Sequence, residues 1–166
     1  MSDSRIITRT ALLLAVTLIF QSLRFFIPLP PFLSSFIIGS LVNTSLLVAA
    51  EKAGLWPALM IASIAPVVAY FQQMLPLPIF IIPVAFGNAA YIVLFSVCLA
   101  WSRVAGVAVA AVGKAGLLYA AFAWLFTFVA IPPKLAAGIM LTMSWPQLVT
   151  GVMGGLLSYL TVRRLK

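Results

Sequence analysis

Apolar residues run through this chain in six long blocks, and polar residues fall mostly at the joints between them. The first block, residues 6–26, contains TALLLAVTLIFQ (10–21) and is uncharged between Arg9 and Arg24. The others cover about 33–50, 56–75, 79–101, 104–131 and 145–162. Each approaches or exceeds the roughly 20 residues a helix needs to cross the hydrocarbon of a bilayer. The pattern predicts an all-α fold, a polytopic bundle of six transmembrane helices forming a single membrane domain over residues 1–166.

The joints carry the chemistry of helix ends. IPLPPF (27–32) holds Pro28, Pro30 and Pro31. Each proline lacks an N–H and fixes φ, so a stiff apolar loop is expected. Gly54 suits the left-handed residue past a helix end, and Pro57 the first turn of the next helix. Pro66 falls inside the third block, where it predicts a kink and frees a carbonyl near Ala62 that must find a partner in lipid. Pro76 and Pro78 mark another turn, and Ser102-Arg103 a short polar break. After Pro132-Pro133-Lys134, residues 135–142 read as the longest connection. Ser144-x-x-Gln147 fits a capping box, with Pro146 in the first turn.

Composition sharpens this picture. The chain is 64% hydrophobic and 7% charged, against about 25% charged for a soluble domain. Six helices with short turns use nearly all of the 166 residues, so no ATPase and no extramembrane enzyme is expected. The basic N-terminus precedes LRFFIPLPPF rather than a small-residue cleavage site, which predicts a retained first helix. The net charge is +8, but the cations sit singly at the ends of apolar runs, a membrane-orientation signal rather than a nucleic-acid patch. Arg5, Arg9, Lys52, Arg103, Arg163, Arg164 and Lys166 fall on one side, and Arg24 and Lys134 on the other. That asymmetry predicts both termini in the cytoplasm and the proline loops outside. One cysteine, Cys98, builds no disulfide framework, and there is no histidine. No nucleophile–base pair, metal site or phosphate loop is visible, so neither enzyme activity nor a cofactor is expected.

Few residues remain that bear chemistry inside the blocks. Lys114 lies about 14 Å into the fifth, at 1.5 Å per residue. A cation at that depth is costly and usually functional. It either meets a substrate carboxylate or carbonyl, or snorkels inward along its helix toward Glu51. Asn43 and Asn88 must be hydrogen-bonded wherever they are buried. Asn43 reads as helix-to-helix glue. Asn88 reads either as glue of the same kind or, with Tyr91 three residues on, as a group that holds a flat heterocycle. Gln147 either closes the capping box or meets a ligand at the outer mouth of the last helix. Ala11 and Ala15, one turn apart, allow another helix to approach closely.

Five stretches carry a resemblance: TALLLAVTLIFQ (10–21), GSLVNTSLLVAA (39–50), FGNAAYIVLF (86–95), GKAGLLYA (113–120) and SWPQLVTGVMGG (144–155). With six helices, both ends inside and the Ala-x-x-x-Ala pair, the chain resembles the substrate-binding S components of energy-coupling factor (ECF) vitamin transporters. The resemblance spans essentially the whole chain and singles out no particular vitamin. It implies that Ala11 and Ala15 pack on a transmembrane coupling subunit driven by two cytoplasmic ATPases. It implies a small-molecule ligand near the outer surface, close to Asn88, Tyr91, Lys114 and Gln147. The loop bearing Pro28, Pro30 and Pro31 would be the gate, and the whole subunit would topple in the bilayer to release its ligand. Two other classes share the size and helix count: a scaffold protein like the cell-shape protein MreD, and a facilitator working without ATPases.

Overall fold

The computed structural model of the chain describes residues 3–27 and 30–164. Seven α-helices and two 3-10 turns follow one another, and no strand occurs among the described residues. They are α1 (Asp3–Ser22), α2 (Pro31–Lys52), α3 (Leu55–Phe71), α4 (Ile81–Cys98), α5 (Arg103–Leu125), α6 (Pro133–Thr142) and α7 (Trp145–Arg164). The 3-10 turns are Leu23–Phe25 and Pro78–Phe80. Five stretches among the described residues are long and apolar enough to cross a membrane: Ser4–Phe25, Phe32–Lys52, Pro78–Cys98, Arg103–Leu125 and Pro133–Arg164. Leu55–Phe71 is a shorter apolar helix. Large apolar side chains such as Leu12, Ile19, Trp56, Phe71, Trp101 and Trp124 are exposed around the bundle. Water tolerates no such continuous apolar surface, whereas lipid does, and the protein is a multi-pass membrane protein.

Local chemistry sets the helix ends. Pro31 and Pro133 each occupy a first helical turn, where the missing N–H costs nothing. The Ser102 side chain caps α5 through the Ala105 N–H. Gly54 joins α2 to α3 with φ +111° and ψ 171°, a region essentially reserved for glycine. Helix α3 stops at Phe71, four residues short of the expected end, because Gln73 adopts φ +60°. The Gln73 and Met74 N–H groups then bond the Tyr70 and Ala69 carbonyls, a Schellman closure with glutamine where glycine is usual.

Two further expected boundaries fail. The fifth helix was expected to reach residue 131 but ends at Leu125. There the Thr127 hydroxyl takes the Trp124 carbonyl at 2.7 Å, a local bond that competes with helix continuation. Residues 135–142, expected as a loop, lie in α6. Their composition of alanine, leucine and methionine favours helix, and Ile139 is buried against the Phe80–Phe122 cluster.

Helix α2 is central, packing most extensively on α7 and also touching α1, α3 and α4. The α2–α7 crossing depends on glycine. A Cβ on Gly154 would stand 2.5 Å from the Cβ of Asn43 and 3.1 Å from the Ser40 carbonyl. Helix α1 is peripheral, resting on α2 and α3. At the end of the bundle that gathers the N-termini of α1, α3 and α5, Arg103 forms a two-pronged ion pair with Glu51, one prong at 2.9 Å. The same guanidinium lies over the Phe95 and Tyr159 rings. At the opposite end, Phe122 packs edge-on against both Phe80 and Phe126. The cavity described next opens in that half.

Candidate functional site

Lys114 projects from the middle of α5 into the bundle and is 4% exposed. Its ammonium donates to Asn43 Oδ1 at 2.6 Å and to Asn88 Oδ1 at 2.8 Å. The snorkelling alternative therefore fails: Lys114 is held sideways by two amides, and Glu51 is engaged by Arg103. The physical cause is reach. Both asparagines stand within hydrogen-bonding distance, so the ammonium need not climb to the bundle's end.

Asn43 also donates through Nδ2 to Thr150 Oγ1 at 3.3 Å. The expectation of glue describes half of its role, since it links α2, α5 and α7 while holding the lysine. Tyr91 lies on the far side of the cation, its ring centroid 5.3 Å from Nζ. Its hydroxyl donates to the Gly151 carbonyl at 2.6 Å. Gly151 permits this, because Ala111 approaches within 2.9 Å of where a Cβ would be.

Above the lysine is a cavity of about 220 Å³, walled by α1, α2, α3, α4, α5, α6 and α7. Its polar groups are Gln21, Ser35, Asn43, Asn88, Lys114, Thr142 and Gln147, and the rest of the wall is apolar. Ser35 and Pro76 are exposed at its rim. The volume lies below the roughly 300 Å³ at the lower end of drug-sized pockets, which suits a compact ligand. Among the described residues, Lys114 is the only charged residue in the wall.

The sequence-predicted site residues separate here. Asn88, Lys114 and Gln147 come together on the cavity wall. Tyr91 does not line it; it is fully buried and supports the lysine from behind. Gln147 forms no capping box. Its Nε2 donates to the Thr142 carbonyl at 3.2 Å, and the Ser144 hydroxyl turns back to the Leu141 carbonyl. The close junction of α6 and α7 provides those carbonyls, which a long loop would not have. Ala11 and Ala15 are exposed on the outer face of α1. Pro30 caps α2 and Pro31 opens it; Pro30 is exposed and is not among the described residues of the cavity wall. Pro28 lies outside the described residues.

Sequence reasoning missed Gln21. This residue is 5% exposed, lines the cavity and donates through Nε2 to the Ala65 carbonyl at 3.1 Å, beside Pro66. Its Oε1 is buried without a partner among the described residues. A signal was available: Thr17 and Gln21 stand one turn apart, both buried, on the face opposite Ala11 and Ala15. Polar residues at i and i+4 in an otherwise apolar helix mark the side turned inward.

The cavity offers donors and acceptors in an apolar chamber, an arrangement for holding a small molecule. Comparison with family models, with curated proteins and with solved structures finds no match to this chain.

Proposed function

We propose that this protein is the substrate-binding subunit, the S component, of an energy-coupling factor importer for a vitamin or similar small micronutrient. In this reading a separate transmembrane coupling subunit and two cytoplasmic ATPases provide the energy. The chain crosses the bacterial cytoplasmic membrane six times with both termini inside. Helix α3, 17 residues long, spans about 26 Å at 1.5 Å per residue. Modest thinning of the bilayer accommodates that shortfall.

The observation that carries this is the cavity with a buried cation and two asparagines at its floor. A purely structural bundle has no use for a cation and free amide groups on the wall of a largely apolar cavity, because buried polar groups cost free energy unless they are satisfied. The exposed Ala11–Ala15 face supports a partner subunit as well. It is small-sided, turned away from the bundle, and borders exposed Ile7, Leu12 and Ile19.

Gentle affinity purification from the native host, with mass spectrometry of proteins and small molecules together, tests this. A coupling subunit with two ATPases is the expected outcome. Recovery of cell-wall or division proteins instead would favour a scaffold, and a ligand without ATPases would favour a solitary facilitator. Ala15→Trp should abolish uptake while leaving ligand binding intact, and normal uptake in both Ala11→Trp and Ala15→Trp would remove the coupling face.

A further inference from the structure

We propose that the cavity takes a compact monocarboxylate, whose anionic end meets Lys114 and whose other end carries an N–H or O–H donor for Gln21. This deepens the reading of the cavity as the substrate site and rests on it.

The charge balance comes first. An ammonium has three N–H donors. Lys114 spends two on the asparagine oxygens, and the described residues offer the third no acceptor. Both partners are neutral amides. The whole chain holds two acids, Asp3 and Glu51. Glu51 is committed to Arg103, and Asp3 opens α1 at the end of that helix remote from Gln21. Among the described residues Lys114 therefore has no counter-ion, and an uncompensated buried charge is costly. A ligand that brings one negative charge relieves that cost on binding. One cation balances one carboxylate, whereas a phosphate would carry its second charge into an apolar chamber.

Asn88 adds a second donor. Its Oδ1 is taken by Lys114, and its Nδ2 has no partner among the described residues while it lines the cavity. Ammonium and amide together present N–H groups to one anionic oxygen pair. Gln21 supplies the complement. Its Nε2 is committed to the Ala65 carbonyl, which leaves Oε1 as a buried, unpartnered acceptor in the wall. A buried acceptor of this kind selects ligands that bring it a donor. The ligand class is thus an acid at one end and a donor at the other, within about 220 Å³.

A set of aromatic monocarboxylates and their primary amides tests this by thermal shift on the detergent-solubilised protein. It includes para-hydroxybenzoate, para-hydroxybenzamide and para-methoxybenzoate. The carboxylates should stabilise at an at least about tenfold lower concentration than their amides, the factor one charge-assisted hydrogen bond brings. Gln21→Leu should erase any preference for para-hydroxy over para-methoxy. Asn88→Asp, isosteric, places an internal counter-ion beside Lys114. It should raise the melting temperature of the unliganded protein and abolish the carboxylate response. Should that variant fold poorly, Lys114→Met must erase the preference for carboxylates. Amides and carboxylates acting equally, or a carboxylate response that survives both variants, would overturn the anion assignment and leave the cavity as a ligand site. No response to any member of the set would sink the cavity reading itself, and this assignment with it.

Discussion

Asn43→Ala removes the residue through which three helices meet. Asn43 is 1% exposed and makes two side-chain bonds, one from the Lys114 ammonium at 2.6 Å and one to Thr150 Oγ1 at 3.3 Å. The first is short and charge-assisted, a class worth about 1.5–3 kcal/mol. The second is long and neutral, and interhelical bonds of that kind in membrane proteins average about 0.6 kcal/mol. Their sum, with Lys114 left to Asn88 alone, is a destabilisation of about 3 kcal/mol. For a chain of this size that corresponds to a fall of about 6–12 °C in melting temperature. The assay is thermal unfolding in detergent for Asn43→Ala, Lys114→Met and the double variant. Asn43→Ala strands a cation that Lys114→Met removes, so the double variant should cost less than the sum of the singles by at least about 1 kcal/mol. Additive effects within about 0.5 kcal/mol would refute the coupling, and with it the account of Lys114 as a cation held by Asn43.

Gly154→Ala should destabilise by about 1–3 kcal/mol, because the atoms its Cβ would meet are a Cβ and a backbone carbonyl that cannot swing aside. Gly116→Ala, with open space around it, is the control and should be neutral or stabilising in the same melting experiment. Tyr91→Phe should lose about 1 kcal/mol of stability with its bond to Gly151, yet keep full ligand affinity, since Tyr91 is not on the cavity wall. Weaker binding with unchanged stability would place its hydroxyl in the site. Gln73→Gly should stabilise by about 1 kcal/mol by relieving the left-handed backbone at the end of α3, and a lower melting temperature would contradict that account.

The sequence by itself determined the class of the molecule. Apolar blocks of membrane length admit only helices in lipid, because backbone groups there must be satisfied within the segment. It also isolated Lys114, Asn43, Asn88 and Gln147, since polar residues inside such blocks are few and costly. Proline and glycine located the joints, because their backbone limits are local. Boundaries depended on more. Gln73 in a left-handed conformation follows from hydrogen bonding that no residue type announces, and the helix-favouring composition of 135–142 became decisive only with the burial of Ile139.

Only the tertiary structure decided which polar groups meet. Lys114 and Asn43 are 71 residues apart in the chain, and Asn43 and Thr150 are 107 apart. Which faces of α2, α4, α5 and α7 turn toward one another depends on contacts such as Gly154 against Asn43. A one-dimensional pattern shows that a cation is buried. It does not show whether that cation climbs to the bundle's end or stays to form the floor of a cavity. The distances to two asparagine oxygens answered that, and the same packing left Gln21 Oε1 on the cavity wall without a partner among the described residues.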